Sequence, residues 1–181
     1  MRNLMRERWE RYQQELKACR RKFSTESVYE SRVAARRLRA ALELLATAAN
    51  VDDLGKARRV LKQHLNIFAT LRDAQVQRSL LPTLRLPRVV REAYDEFLRR
   101  REQKGTRRAK RGLAEIQIRS VAKAVRRLDL ALRQRTQAIG EAELRAVVGA
   151  CFCRVSERCS QVDAARPETI HATRVAFKRF R

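Results

Sequence analysis

The chain has 181 residues, 44% of them hydrophobic, and carries 43 Lys and Arg against 20 Asp and Glu, a net charge of +23. That much apolar material supports one packed domain and excludes a disordered polycation, while the charge selects polyanionic partners: nucleic acid, an anionic membrane surface or polyphosphate. The basic residues comprise 35 Arg and 8 Lys, and the guanidinium fork meets two phosphate oxygens at once where an ammonium cannot.

The N-terminus, MRNLMRERWERY, is charged throughout and no apolar run approaches a membrane span, so the expected location is the cytoplasm. Met5, Trp9, Tyr12, Leu16 and Cys19 recur at steps of four and three, which predicts a first amphipathic helix from about Asn3 to Lys22. Ser24, Thr25 and Ser27 are candidate caps for a second helix running to about Ala49. Asp52 is the expected cap of a third, which carries Val60, Leu61, Leu65, Phe68, Leu71 and Val76 and ends before Pro82. After a turn at Leu84 to Pro87, a long helical pattern runs from Arg88 towards Ala138, with Gly105 and Gly112 as weak points. A fifth helix covers about Glu141 to Val162, and Pro167 opens a sixth. No segment alternates with period two, so the fold class is all-α: a helical bundle of long antiparallel helices.

The second helix separates its faces. Tyr29, Arg32, Arg36 and Arg39 fall in a sector about 80° wide, and Val28, Ala35, Leu38, Leu42 and Leu45 occupy the opposite side. The basic stripe is about 15 Å long, with steps matching consecutive phosphates. Glu43 lies one turn beyond Arg39 and is placed to orient it.

Glu168 to Arg181, ETIHATRVAFKRFR, aligns without gaps on Glu26 to Arg39, ESVYESRVAARRLR, with six of fourteen positions identical. The stripe recurs as His171, Arg174, Lys178 and Arg181 with the same spacing. Internal duplication accounts for this, and two basic helices related by pseudo-symmetry are expected to line one groove. Arg101, Lys104, Arg108 and Arg111 form a third stripe, with Arg119 further along, a weaker signal that a solvated charged face accounts for equally well. In LRDAQV, Asp73 is read as an anchor for an arginine of a neighbouring helix, and His64 as an ordinary half-buried helix residue.

The motif H-x-x-R-V-A-x-[KR]-R-x-R, present as HATRVAFKRFR and as YESRVAARRLR, together with LRDAQV between them, resembles the CHAD family, the conserved histidine alpha-helical domain. The resemblance implies a bundle of two repeats, with residues 1–23 a preceding amphipathic helix, residues 24–181 the domain, and the second repeat incomplete at Arg181. It implies binding of inorganic polyphosphate in a basic central groove and association with polyphosphate granules. On this chain that role falls to Arg32, Arg36, Arg39, His171, Arg174, Lys178 and Arg181. Tyr29 stands where the first histidine belongs, keeping a hydrogen-bond donor without the charge.

The competing reading is a sequence-tolerant RNA- or DNA-binding protein using the same surface, although aromatics are only 6% and are placed mostly on apolar faces. A phosphohydrolase or kinase needs gathered carboxylates or a glycine-rich phosphate loop; the sequence has neither, so no enzymatic activity and no cofactor is expected. Cys19, Cys151, Cys153 and Cys159 form no CxxC and have two His to join them, which argues against a metal site and for small buried residues.

Overall fold

The computed structural model describes residues 2–49, 51, 54–134 and 140–180. Within them the chain forms α1 (Arg2–Arg21), α2 (Thr25–Ala48), α3 (Gly55–Ile67), α4 (Ala69–Leu80), a short 3-10 turn (Leu81–Thr83), α5 (Arg88–Glu115), α6 (Arg119–Gln134), α7 (Glu141–Ser160) and α8 (Pro167–Phe180). The expected all-α bundle is the one observed, with no strand among the described residues. None of the described helices is long and apolar enough to cross a membrane.

Three helical hairpins, α1–α2, α4–α5 and α7–α8, supply most of the packing, and α3 and α6 tie the first two together. The α1–α2 turn is fixed by a reciprocal cap: the backbone N–H of Ser27 donates to Ser24 Oγ (3.1 Å), and that of Ser24 to Ser27 Oγ (2.9 Å). Met5, Tyr12 and Leu16 of α1 meet Val28, Leu38, Leu42 and Leu45 of α2, Leu61 of α3, and Leu113, Val121 and Leu128 of α5 and α6 in one buried cluster. Every one of these falls on the apolar stripe its helix presents at 3.6-residue spacing. α7 and α8 contribute nothing to that cluster and bury Val155 and Ala176 in their own hairpin.

Three expectations about helix limits change. The third predicted helix is two, α3 and α4, meeting at Phe68, whose ring is fully buried; the cap position of α3 is Leu54, and Asp52 lies outside the described residues. The long pattern from Arg88 breaks at Ile116–Ile118 and not at its glycines; Ile116 turns extended (ψ 117°) and buries its side chain. The break is held from outside, because Arg20 Nη2 of α1 donates to the carbonyls of Leu113 and Ile116, 3.1 Å each, satisfying helix-end oxygens that have no partner within α5. The residues at 135–139, where the pattern was to end, lie outside the described set.

Gly105 and Gly112 are contact points. A Cβ on Gly105 would lie 3.0 Å from the Leu71 Cα, and one on Gly112 would lie 3.1 Å from the Ile67 side chain. With Ala109 fully buried between them, they form a small-residue track along which α5 closes on α3 and α4. The cysteines also depart from expectation: Cys19 is buried, whereas Cys153 and Cys159 are exposed on α7.

Candidate anion-binding surface

The stripe on α2 is real and is graded in depth. Arg32 is half-buried and its Nη1 donates to the Leu65 carbonyl of α3 (2.8 Å). Arg36 is exposed and holds no ion pair among the described residues. Arg39 Nε donates to Glu43 Oε1 (2.9 Å), the orienting role read from the sequence, and Arg58 of α3 approaches the same carboxylate (4.0 Å). Tyr29 is 49% exposed.

The sequence reading missed Arg72. It projects from α4 with its guanidinium 5.8 Å from the centre of the Tyr29 ring, so the aromatic side chain at the histidine position carries a cation from a second helix. Burial lowers the Arg32 pKa, and repulsion from Arg36 and then Arg72 lowers it further, against the pull of Asp73. Three guanidinium groups are therefore concentrated where α2 meets α4, a local field that any approaching anion relieves. The signal for Arg72 lay in LRDAQV, but only the α2–α4 proximity gives it a place.

Asp73 is exposed and makes no ion pair among the described residues, so it does not clamp an arginine directly, although its charge acts on Arg32 of the neighbouring α2. The α4–α5 anchor is Arg78, which pairs with Asp95 (3.1 Å) and with Glu102; both acids raise its pKa.

His64 is buried completely, not by half. Its Nδ1 lies 3.4 Å from the Tyr12 hydroxyl and its Nε2 3.0 Å from the Ser31 hydroxyl. A neutral imidazole has one donor and one acceptor nitrogen, so one hydroxyl accepts and the other donates. Burial, and then the positive charge of Arg32, push its pKa down to about 4. It joins α1, α2 and α3 directly behind the base of the stripe and has no route to solvent.

The other predicted residues divide. His171, Arg174 and Lys178 are exposed on α8, and Arg181 lies outside the described residues. Arg101, Lys104, Arg108 and Arg111 are exposed along α5 and make no ion pair among the described residues. Arg119 does not extend that row: the break at Ile116–Ile118 puts it at the start of α6, where it lines a cavity against α3.

The two duplicated helices sit in different surroundings. α2 is wrapped by α1, α3 and α6, whereas α8 rests on α7, which in turn touches α2. Val28 and Leu38 are buried, but their counterparts Ile170 and Phe180 are 49% and 38% exposed. Phe177, opposite the buried Ala35, is 52% exposed.

A two-repeat helical chain bearing this motif at both α2 and α8 defines a class, and the family comparison agrees. Residues 3–181 match the CHAD domain, and the chain belongs to that family. The match begins within α1, so it takes in the helix expected to precede the domain. No curated protein and no solved structure matches significantly.

Proposed function

We propose that the chain is a non-catalytic polyphosphate-binding module. The CHAD domain is associated in general with polyphosphate, and the observation that carries the reading here is the junction of α2 and α4. There Arg32, Arg36 and Arg72 converge; Asp73 offsets their repulsion in part, but none of the three is ion-paired among the described residues as Arg39 is with Glu43. The arginines grip successive phosphates by charge-assisted, partly bidentate hydrogen bonds, and counterion release drives association. The α8 row of His171, Arg174, Lys178 and Arg181 and the α5 row of Arg101, Lys104, Arg108 and Arg111 extend the track for a long chain. Arg119 joins it in this reading as a peripheral cation, and granule association in the cytoplasm follows from the ligand.

The test is a titration of long-chain polyphosphate at two salt concentrations, with RNA matched in total charge as competitor. With about four phosphate contacts, affinity should fall roughly a hundredfold from 50 to 200 mM salt. Replacing Arg36, Arg72, Arg174 and Lys178 together by Gln should weaken binding at least tenfold more than replacing Arg6, Arg8, Arg11 and Arg21 of α1. Equal losses reduce the stripes to general charge, and RNA displacing polyphosphate at equal charge replaces the ligand.

A further inference from the structure

The cavity between α3 and α6 is a second concentration of positive charge that the stripes do not account for. It is about 630 Å³ in volume and is lined by Lys56 and Arg59 from α3 and by Arg119, Lys123 and Arg127 from α6, with no carboxylate among the described lining residues. None of its described lining residues belongs to α2, α4 or α8. On α3 the split is sharp, since Arg58 approaches Glu43 on the α2 side while its neighbour Arg59 faces α6.

The arrangement differs from the ordinary surface of this protein. Arg6, Arg88, Arg100 and Arg145 each pair with an acid one helical turn away. Lys56, Arg59, Arg119 and Lys123 make no ion pair among the described residues, and they face one another across two packed helices. Such convergence is unfavourable until an anion enters.

An independent observation lies in the wall. Ser120 lines the cavity, and its Oγ is buried without a hydrogen-bond partner. Buried hydroxyls are nearly always satisfied, so this unpaired one in the wall, beside four cations without ion pairs among the described residues, is free to serve an entering ligand oxygen.

We infer that the α3–α6 cavity is a separate binding site for a compact, multiply charged phosphate anion, held by Arg59, Arg119 and Lys123 and by a hydrogen bond from Ser120. The volume lies in the range of small-molecule sites, roughly 300–1,000 Å³, and two rows of cations on facing helices suit a short condensed phosphate better than an extended polymer. The same chemistry is offered by a free oligophosphate and by the end of a long polyphosphate chain. The site does not depend on the α2 stripe.

Calorimetric titration of the full chain with tripolyphosphate, beside a parallel titration with long-chain polyphosphate, tests the site and separates the two sources. Saturable binding of tripolyphosphate is expected. Ser120→Ala should weaken it about tenfold, the loss of one hydrogen bond to a charged group. It removes no charge and leaves the thermal midpoint unchanged or raised, so lost binding is not lost folding. Arg59→Gln with Lys123→Gln should weaken it further, whereas Arg36→Gln with Arg174→Gln should leave it within twofold while reducing long-chain binding. If the cavity takes chain ends, the Ser120 variant also loses affinity for the long chain; if it takes free oligophosphate, long-chain affinity stays within twofold. The inference is overturned if tripolyphosphate fails to bind the unaltered chain, or if the Ser120 and Arg59/Lys123 variants bind it as tightly as the unaltered chain does. It is equally overturned if the Arg36/Arg174 variant loses tripolyphosphate to the same extent. Failure of the stripe variants to affect long-chain polyphosphate counts against the proposed function alone.

Discussion

His64 shows how a single buried side chain ties the site to the stability of the fold. Its burial, and then the positive charge of Arg32, make the folded state resist its protonation and push its pKa to about 4, against about 6.5 in the unfolded chain. Above pH 6.5 both states hold it neutral and no penalty applies. As pH falls from 6.5 towards 4 the unfolded state takes up a proton that the folded state refuses, so stability declines across that window. Urea unfolding should therefore report about 2 kcal/mol less stability at pH 5 than at pH 7. The His64→Gln variant should be less stable at pH 7 and should lose most of that slope. An unchanged slope in the variant would assign the effect to other groups.

At the scale of elements, the contacts of α5 decide how closely the bundle packs. A methyl group at Gly105 would press on the Leu71 backbone at 3.0 Å, whereas one at Gly149 on α7 would meet nothing within 4 Å. Alanine gains about 1 kcal/mol over glycine in a helix interior, but overpacking against backbone costs about 1–3 kcal/mol. Thermal unfolding should then show Gly105→Ala destabilised by up to about 2 kcal/mol after the helix gain, and Gly149→Ala stabilised by up to about 1 kcal/mol. Two substitutions of the same chemistry move in opposite directions because one glycine faces a neighbouring backbone and the other faces open space. The same crossing, with the Arg20 cap on Leu113 and Ile116, sets where α6 starts and so brings Arg119 and Ser120 against α3.

The molecule as a whole is unevenly buried. α1 to α6 share one hydrophobic cluster, while Phe152, Ile170 and Phe177 stay about half exposed on the α7–α8 hairpin. Local opening is easiest where few apolar contacts must be broken. Hydrogen exchange followed by mass spectrometry should find α7 and α8 exchanging well before the buried stretches of α2 and α6. Long-chain polyphosphate should slow exchange in α8 as well as in α2 if both rows grip one chain. Protection confined to α2 would leave α8 outside the binding track.

Composition and spacing alone determined the all-α class, the apolar and basic faces of α2, the duplicated motif and the cluster of Ser24, Thr25 and Ser27 from which the α2 cap is drawn, because each depends on residues within a few turns of one another. Arg39 and Glu43, four apart on one helix, belong to the same category. The place of Arg72 over Tyr29, the burial of His64, the break after Glu115 and the α3–α6 cavity depend on residues tens of positions apart. Local sequence carries no record of which helices become neighbours, and the unequal surroundings of α2 and α8 show the limit most plainly. Two segments of one motif present a similar pattern of side chains, but the burial of each position is decided by the helices that pack against it.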